Sequence, residues 1–346
     1  METTEPSVLV GILRFLILLC CMGGAAAMDH WQRRVPNDWW IRWGVAIVFL
    51  LCIEMMMIGA DLPILLMTLG IIAWASISVL GTPSIADIKA GSKLDLAVSL
   101  WYILGFIGLV SSLFLHGENA LWIIGFLADA PIYNSANSTD FMYFYHNAHL
   151  LLDLIGLSIC IGFIELAWRM RLLHGGADAK ALMIVAIALP WFGHSVSSDL
   201  TIGVLGTTGV APPMISVLVW SAVGFLLLPI FTTIRNVSNG VKSPLKMIWH
   251  AEKWKLDEIP GKHVWILSEV IDDTDGTRKV AVRMRPRRKK EDRESISKHI
   301  SELSQQGETE AWITKKHPFL IYVFPAIILT MILGDPIAWI LLELGQ

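Results

Sequence analysis

Charge is scarce in this 346-residue chain: only 16% of its residues are Asp, Glu, Lys or Arg, against 54% hydrophobic. That balance is too apolar for an ordinary soluble protein of this length. The net charge of -3 says little by itself, and no nucleic-acid partner is expected. Cysteine is scarce too. Cys20, Cys21, Cys52 and Cys160 lie inside apolar runs without zinc spacing. They read as small buried hydrophobes, not as disulfides or metal ligands. Ten-residue segments of alternating hydrophobicity are missing, which argues against a membrane barrel.

What is present is a series of long apolar runs, near residues 8–27, 44–60, 62–80, 96–115, 148–168, 179–197, 211–234 and 318–344. Lipid offers the backbone no hydrogen-bond partners, so such runs span it as helices. The first run ends in Ala25-Ala26-Ala27, which resembles a signal-peptidase site. Glu2 and Glu5 precede it, however, and Arg14 interrupts it, so a retained helix is expected. Trp39, Trp40 and Trp43 mark a membrane interface. Residues 236–316 differ in kind. They hold 17 of the 27 Lys and Arg and no spanning run. Val264 to Ile271 and Lys279 to Arg285 are rich in strand formers around a turn at Asp273-Thr274-Asp275-Gly276, which predicts a hairpin. A basic run, Arg285 to Lys290, follows, and Glu291 to Ser304 has helical character.

Arg33/Arg34, Lys89/Lys93, Arg169/Arg171 and Arg235 flank alternate ends of successive runs. Placing all of them in the cytoplasm accommodates eight spans without conflict. It puts residues 236–316 inside the cell and residues 117–147 and 198–210 outside. The expected organisation is an N-terminal transmembrane extension (1–60), a transmembrane catalytic core (61–235), a cytoplasmic soluble insert (236–316) and a C-terminal transmembrane helix (317–346).

Two acids stand out. Asp178 sits in His174-Gly175-Gly176-Ala177-Asp178-Ala179-Lys180, at the mouth of the sixth run. Asp87, in Ala86-Asp87-Ile88-Lys89, follows the third run. A carboxylate at a membrane boundary costs free energy, and two that share a proton can activate water against a peptide bond. Topology brings both to the cytoplasmic face. Gly175 and Gly176 would let another backbone approach Asp178. Lys180 could lower the pKa of that acid, and Glu165, near the cytoplasmic end of the fifth run, could support it. A plain helix N-cap is the competing reading of Asp178. Glu54, Asp61 and Asp335 compete as acids. His146, His149 and Asp153 share a helical face at i, i+3 and i+7, which suits a polar helix start better than a metal site. His194 has no partner visible in the sequence.

The Gly-Gly-Ala-Asp-x-Lys segment resembles the Gly-x-Gly-Asp motif of the type IV prepilin peptidase family. Ala86 to Lys89 with Leu94 and Leu96 resembles that family's first-aspartate segment. Phe231 to Gly240, Trp312-Ile313-Thr314, Pro318-Phe319 and Leu333-Gly334-Asp335 are similar to archaeal preflagellin peptidases, which also carry an insert before the last helix. The resemblance runs from about Leu65 to the end and leaves the first two spans outside it. It implies an all-α polytopic membrane protein: a six-helix core plus two N-terminal spans, with a small soluble β-containing insert before the last helix. It further implies that Asp87 and Asp178 are the catalytic pair of an aspartic endopeptidase in the cell membrane. Its substrates would be type IV pilin-like or archaeal flagellin precursors, cut at the cytoplasmic face, with membrane lipid as the other partner and no metal or cofactor. An ion- or proton-coupled transporter and a non-catalytic scaffold of a pilus or secretion apparatus are the alternatives. A transporter would place its acids near the midplane and repeat its sequence in inverted halves.

Overall fold

The computed structural model describes residues 6–126, 138–173, 175–191, 212–241, 244–272, 278–285 and 293–344. His174, His194, the end of the sixth run, the turn at 273–276 and most of the basic run lie outside these residues. The chain divides into two compact units, residues 1–221 with 319–346, and residues 222–318. It is a mostly helical, multi-pass membrane protein.

The first unit is a helical bundle. Its elements are α1 (Pro6–Gln32), α2 (Asn37–Met57), α3 (Leu62–Leu80), the short α4 (Ile85–Lys89), α5 (Lys93–Ile123), α6 (Ser138–Arg169) and α7 (Gly176–Ala188). Most of α8 (Pro213–Leu226), with α12 (Leu320–Leu333) and α13 (Pro336–Leu344), completes it. Among the described residues six helical stretches are long and apolar enough to cross a membrane, the first five expected runs and Pro213–Ser238. The sixth expected run begins as α7, whose described helix is 13 residues long. The last run is broken. Gly334, at φ 77°, ends α12, and Pro336 opens α13. Asp335 holds the break: its Oδ1 accepts the Ile337 N–H at 2.9 Å and the Ser216 hydroxyl at 2.9 Å.

α7 sits inside this unit. Every residue from Ala181 to Ala188 is buried, as expected of a helix apolar all round. It packs on α1, α2, α3 and α6. α3 and α5 come closest of all, because glycines face each other. A Cβ on Gly105 would lie 2.2 Å from the Gly70 Cα, and one on Gly108 would lie 2.3 Å from the Met67 amide nitrogen. Small residues at such a seam let helix backbones touch in lipid, where hydrophobicity alone does not join helices. That seam fixes both ends of the short connection that carries Asp87.

Two charges inside the spans pair with each other. Arg14 of α1 and Glu54 of α2 meet at 2.8 Å, both buried, and the guanidinium lies 5.9 Å from the Trp191 ring. Intramembrane charges usually pair this way.

The second unit holds α9 (Leu228–Ser238), α10 (Leu245–Ile248), β1 (Glu252–Lys255), β2 (Val264–Ile266), β3 (Ser268–Asp272), β4 (Arg278–Val282), α11 (Arg293–Gln305) and β5 (Glu310–Lys315). β5 is the centre of an antiparallel sheet ordered β1-β5-β2, with Trp254 opposite Ala311 and Trp265 opposite Thr314. β3 and β4 form the expected hairpin, with Val270 opposite Val280. The stretch Val264 to Ile271 is not one strand, however. At Leu267 the chain changes sheets: its N–H donates to the Trp312 carbonyl and its carbonyl accepts from Arg283. Ser268 seals the crossing by accepting the Trp312 N–H at 2.9 Å. Under the sheet lie Leu256, Ile259, Val264, Ile266, Leu303 and Ile313, with Ile296 and Ile300 of α11 against them.

Candidate active site

Asp178 stands in the first turn of α7, three residues after its N-cap, Gly175. A carboxylate there faces free amide groups and the positive end of the helix dipole. It is partly buried. The side chain folds back over Gly175 so closely that a Cβ on that residue would lie 2.5 Å from Oδ2. The backbone of Gly175 is extended, at φ -103° and ψ 127°, and any residue could adopt it. Glycine at 175 thus leaves the carboxylate room to lie where it does, and its dihedral angles make no demand of their own. Gly176 differs: a Cβ there would meet only the Trp168 ring, at 3.9 Å, an ordinary contact. The two glycines look equivalent in sequence and are not.

Asp87 lies in α4, exposed to solvent. Ser84 caps that turn, accepting the Asp87 N–H at 3.4 Å. The Asp87 carboxylate makes no hydrogen bond or ion pair among the described residues. The connection itself is tied down by Asp95. One Asp95 oxygen accepts the Ser84 N–H at 3.3 Å, and the other accepts the Ser92 hydroxyl. Ser92 in turn caps α5 through the Asp95 N–H at 3.3 Å. Asp95 is not among the acids that stand out in the sequence, although Ser92-Lys93-Leu94-Asp95 has the Ser-x-x-acid spacing of a capping box.

The start of α7 and the end of α3, which leads to Asp87, lie at one end of the bundle: Lys180 and Leu80 line the same groove. Lys180 does not turn toward Asp178. Residues two apart on a helix face different ways, and its ammonium donates to Asn37 Oδ1 at 2.7 Å, across to the start of α2. Glu165 accepts from the Trp74 indole N–H with one oxygen and pairs with Arg169 through the other. Trp74 belongs to α3, so Glu165 ties α6 to the helix that precedes Asp87.

The competing acids have structural work. Glu54 neutralises Arg14. Asp61 caps α3 through the Ile64 N–H at 3.0 Å, pairs with buried His116 at 2.6 Å and accepts from Tyr143 at 3.3 Å. Asn147 receives the Asp61 N–H at 3.0 Å. Asp335 holds the break before α13. On α6, His149 meets the Tyr145 ring edge-on, with centroids 4.5 Å apart, and no cluster of metal-ligating residues forms among the described residues.

In the second unit the best-built charge is Glu252. It receives Lys315 at 2.7 Å and the Trp254 indole at 3.0 Å, with Arg235 at 3.6 Å. Burial pushes its carboxyl up. Those bonds and charges outweigh burial and hold it below its ordinary value of 4.5.

Residues 243–336 match the family model described as Archaeal Peptidase A24 C-terminus Type II. The match takes in the whole β-containing part of the second unit and α12. No curated protein matches the chain.

Proposed function

We propose, from the premise that residues 243–336 match the archaeal A24 peptidase C-terminus and so support a prepilin/preflagellin peptidase-like family, that this chain is a membrane aspartic endopeptidase with Asp87 and Asp178 as its catalytic pair. Its substrates are type IV pilin-like or archaeal flagellin precursors, in which a short basic leader precedes an apolar helix, and it cuts them at the cytoplasmic face. The observation that carries this reading is the contrast among the acids. Glu54, Asp61 and Asp335 each hold two helices or a helix start in place, whereas Asp87 presents an unengaged carboxylate at the end of the bundle where α7 begins with Asp178.

In the reaction one ionised aspartate takes a proton from water as the oxygen attacks the scissile carbonyl. The other, protonated, donates its proton to that carbonyl oxygen; the proton taken from water then passes to the leaving amine as the C–N bond breaks, and the second aspartate recovers its proton from the diol as the product carboxyl forms. The two titrate as a unit, so neither residue is assigned the acid role. The chemistry needs neither a metal nor an organic cofactor. Asp95 and Ser84 steady the Asp87 turn, and Gly175 leaves room for the Asp178 carboxylate.

The test is cleavage of pilin and flagellin precursors by purified wild type, Asp87→Asn and Asp178→Asn. Both variants should lose cleavage while membrane level and melting temperature stay at wild-type values. Residual activity above a few per cent in either sinks the pair. One observation favours proton-coupled transport: Asp153, within α6, has no hydrogen bond or ion pair among the described residues, and intramembrane acids of that kind often relay protons. Proton uptake into vesicles that disappears in Asp153→Asn and survives in Asp178→Asn would establish that second reading.

A further inference from the structure

Asp178 takes its place from α7, and the start of α7 does not hold itself. Its N-cap, Gly175, makes no side-chain hydrogen bond to the first turn, and a second glycine follows. The position of that turn is therefore set by what packs around it. Part of that packing is α1 and α2, which lie against α7 together with α3 and α6. These two helices are the spans that the family resemblance leaves outside.

Polar contacts from α1 and α2 meet α7 at both of its ends. At the start, the Lys180 ammonium donates to Asn37 Oδ1 at 2.7 Å. Lys180 stands two residues after Asp178 on the same helix, so a tie on one constrains the other. An Asn at a helix start usually caps its own helix. Asn37 does not: the cap position of α2 is Pro36, without a side-chain hydrogen bond, and the Asn37 oxygen turns to α7. The same end of α2 is fastened to α1, because the Trp39 indole N–H donates to the Cys21 carbonyl at 3.2 Å. Gly24 admits that indole; a Cβ there would lie 2.5 Å from the ring. Just past the other end of α7, the Trp191 ring lies 5.9 Å from the Arg14 guanidinium of α1. Glu54 of α2 meets that guanidinium at 2.8 Å, and all three residues are buried. Separating them would strand a buried charge, so α1 and α2 stay together against α7. We propose, on the reading that Asp178 is one of the catalytic pair, that α1 and α2 form a clamp that sets the position of its carboxylate. Asn37 is a positioning residue in that clamp and acts through Lys180.

Steady-state cleavage of a pilin or flagellin precursor by the purified full chain tests it, with Asp178→Asn as the control. Asn37 is exposed, so Asn37→Ala should melt like wild type. It should lower kcat about tenfold and leave KM unchanged, as expected when a reacting group is displaced by a fraction of an ångström. Lys180→Met should do the same. The double variant should be no slower than either single one, because both remove one contact. Asn37→Asp keeps an acceptor for the ammonium and should return to within about twofold of wild type. If Lys180→Met lowers the melting temperature, Asn37→Ala and Asn37→Asp still decide. Wild-type kcat in Asn37→Ala, losses that add in the double variant, or an Asn37→Asp as slow as Asn37→Ala each overturn the clamp. So does a fall confined to KM, which would make Asn37 a substrate contact. With Asp178→Asn inactive, those results leave the catalytic pair standing. An active Asp178→Asn removes the pair and the clamp together.

Discussion

Gly175→Ala and Gly176→Ala form a matched pair that tests the geometry of the site without touching an acid. In Gly175→Ala the new Cβ would stand 2.5 Å from Asp178 Oδ2, where ordinary contact begins at 3.4 Å. The carboxylate must retreat by roughly 1 Å, and a displacement of that size at a reacting group costs about 10²-fold in rate. The backbone at 175 already suits alanine, so the fold should not suffer. The lost freedom of the unfolded chain even favours the variant, by about 0.4–1 kcal/mol. Gly176→Ala meets only the edge of Trp168 and should cleave like wild type. The assay is initial-rate cleavage of a precursor by enzyme purified at equal melting temperature. Gly175→Ala should fall about 10²-fold in kcat/KM, with Gly176→Ala unchanged. If the two variants are equally active, the Asp178 carboxylate over Gly175 is not part of the reacting site.

Other perturbations probe the surroundings. Asp95→Ala unhooks Ser84 and Ser92 from the Asp87 connection and should lower cleavage by about 10-fold or more; Asp95→Asn, which keeps one acceptor, should recover part of it. A stable, fully active Asp95→Ala would show that the connection needs no such tie. Asp61→Asn removes the charge that faces buried His116 and weakens the α3 cap, so it should lower the melting temperature while the folded fraction still cleaves. Normal stability with dead chemistry would move the site to the other end of the bundle. Glu252 has its carboxyl held below 4.5, so its contribution to stability is full above that pH and is lost as pH falls through the lower folded value. Glu252→Gln should therefore cost about 1.5 kcal/mol or more at pH 7, and the gap in melting temperature should narrow as pH drops below about 4.5. A gap independent of pH would refute the assignment.

How much of this was legible beforehand depended on the range of the physics involved. Hydrophobicity integrated over some twenty residues is a local property. The helical class, the first five spans, the small strands of the C-terminal insert and the antiparallel pairing of β3 with β4 therefore follow from the sequence alone. Asp87 and Asp178 were singled out in the same local way, each as an acid at the boundary of an apolar run with a lysine two residues on, and their role as a pair is the proposal that the cleavage assay tests. What depends on distant residues was not legible. Arg14 and Glu54 are forty residues apart and each looked anomalous until the packing of α1 on α2 paired them. Asp61 competed with Asp178 as a candidate acid, and only the arrival of His116 and Asn147 from other helices showed its structural task. The strand expected at Val264 to Ile271 was divided because Trp312, 45 residues beyond Leu267, draws the chain into another sheet. Gly175 and Gly176 are identical letters in one motif, and only the direction in which the Asp178 side chain folds sets one of them, and not the other, against the carboxylate. A side chain's neighbours within one turn can be read from its spacing, but which face meets which partner is decided by how whole helices pack.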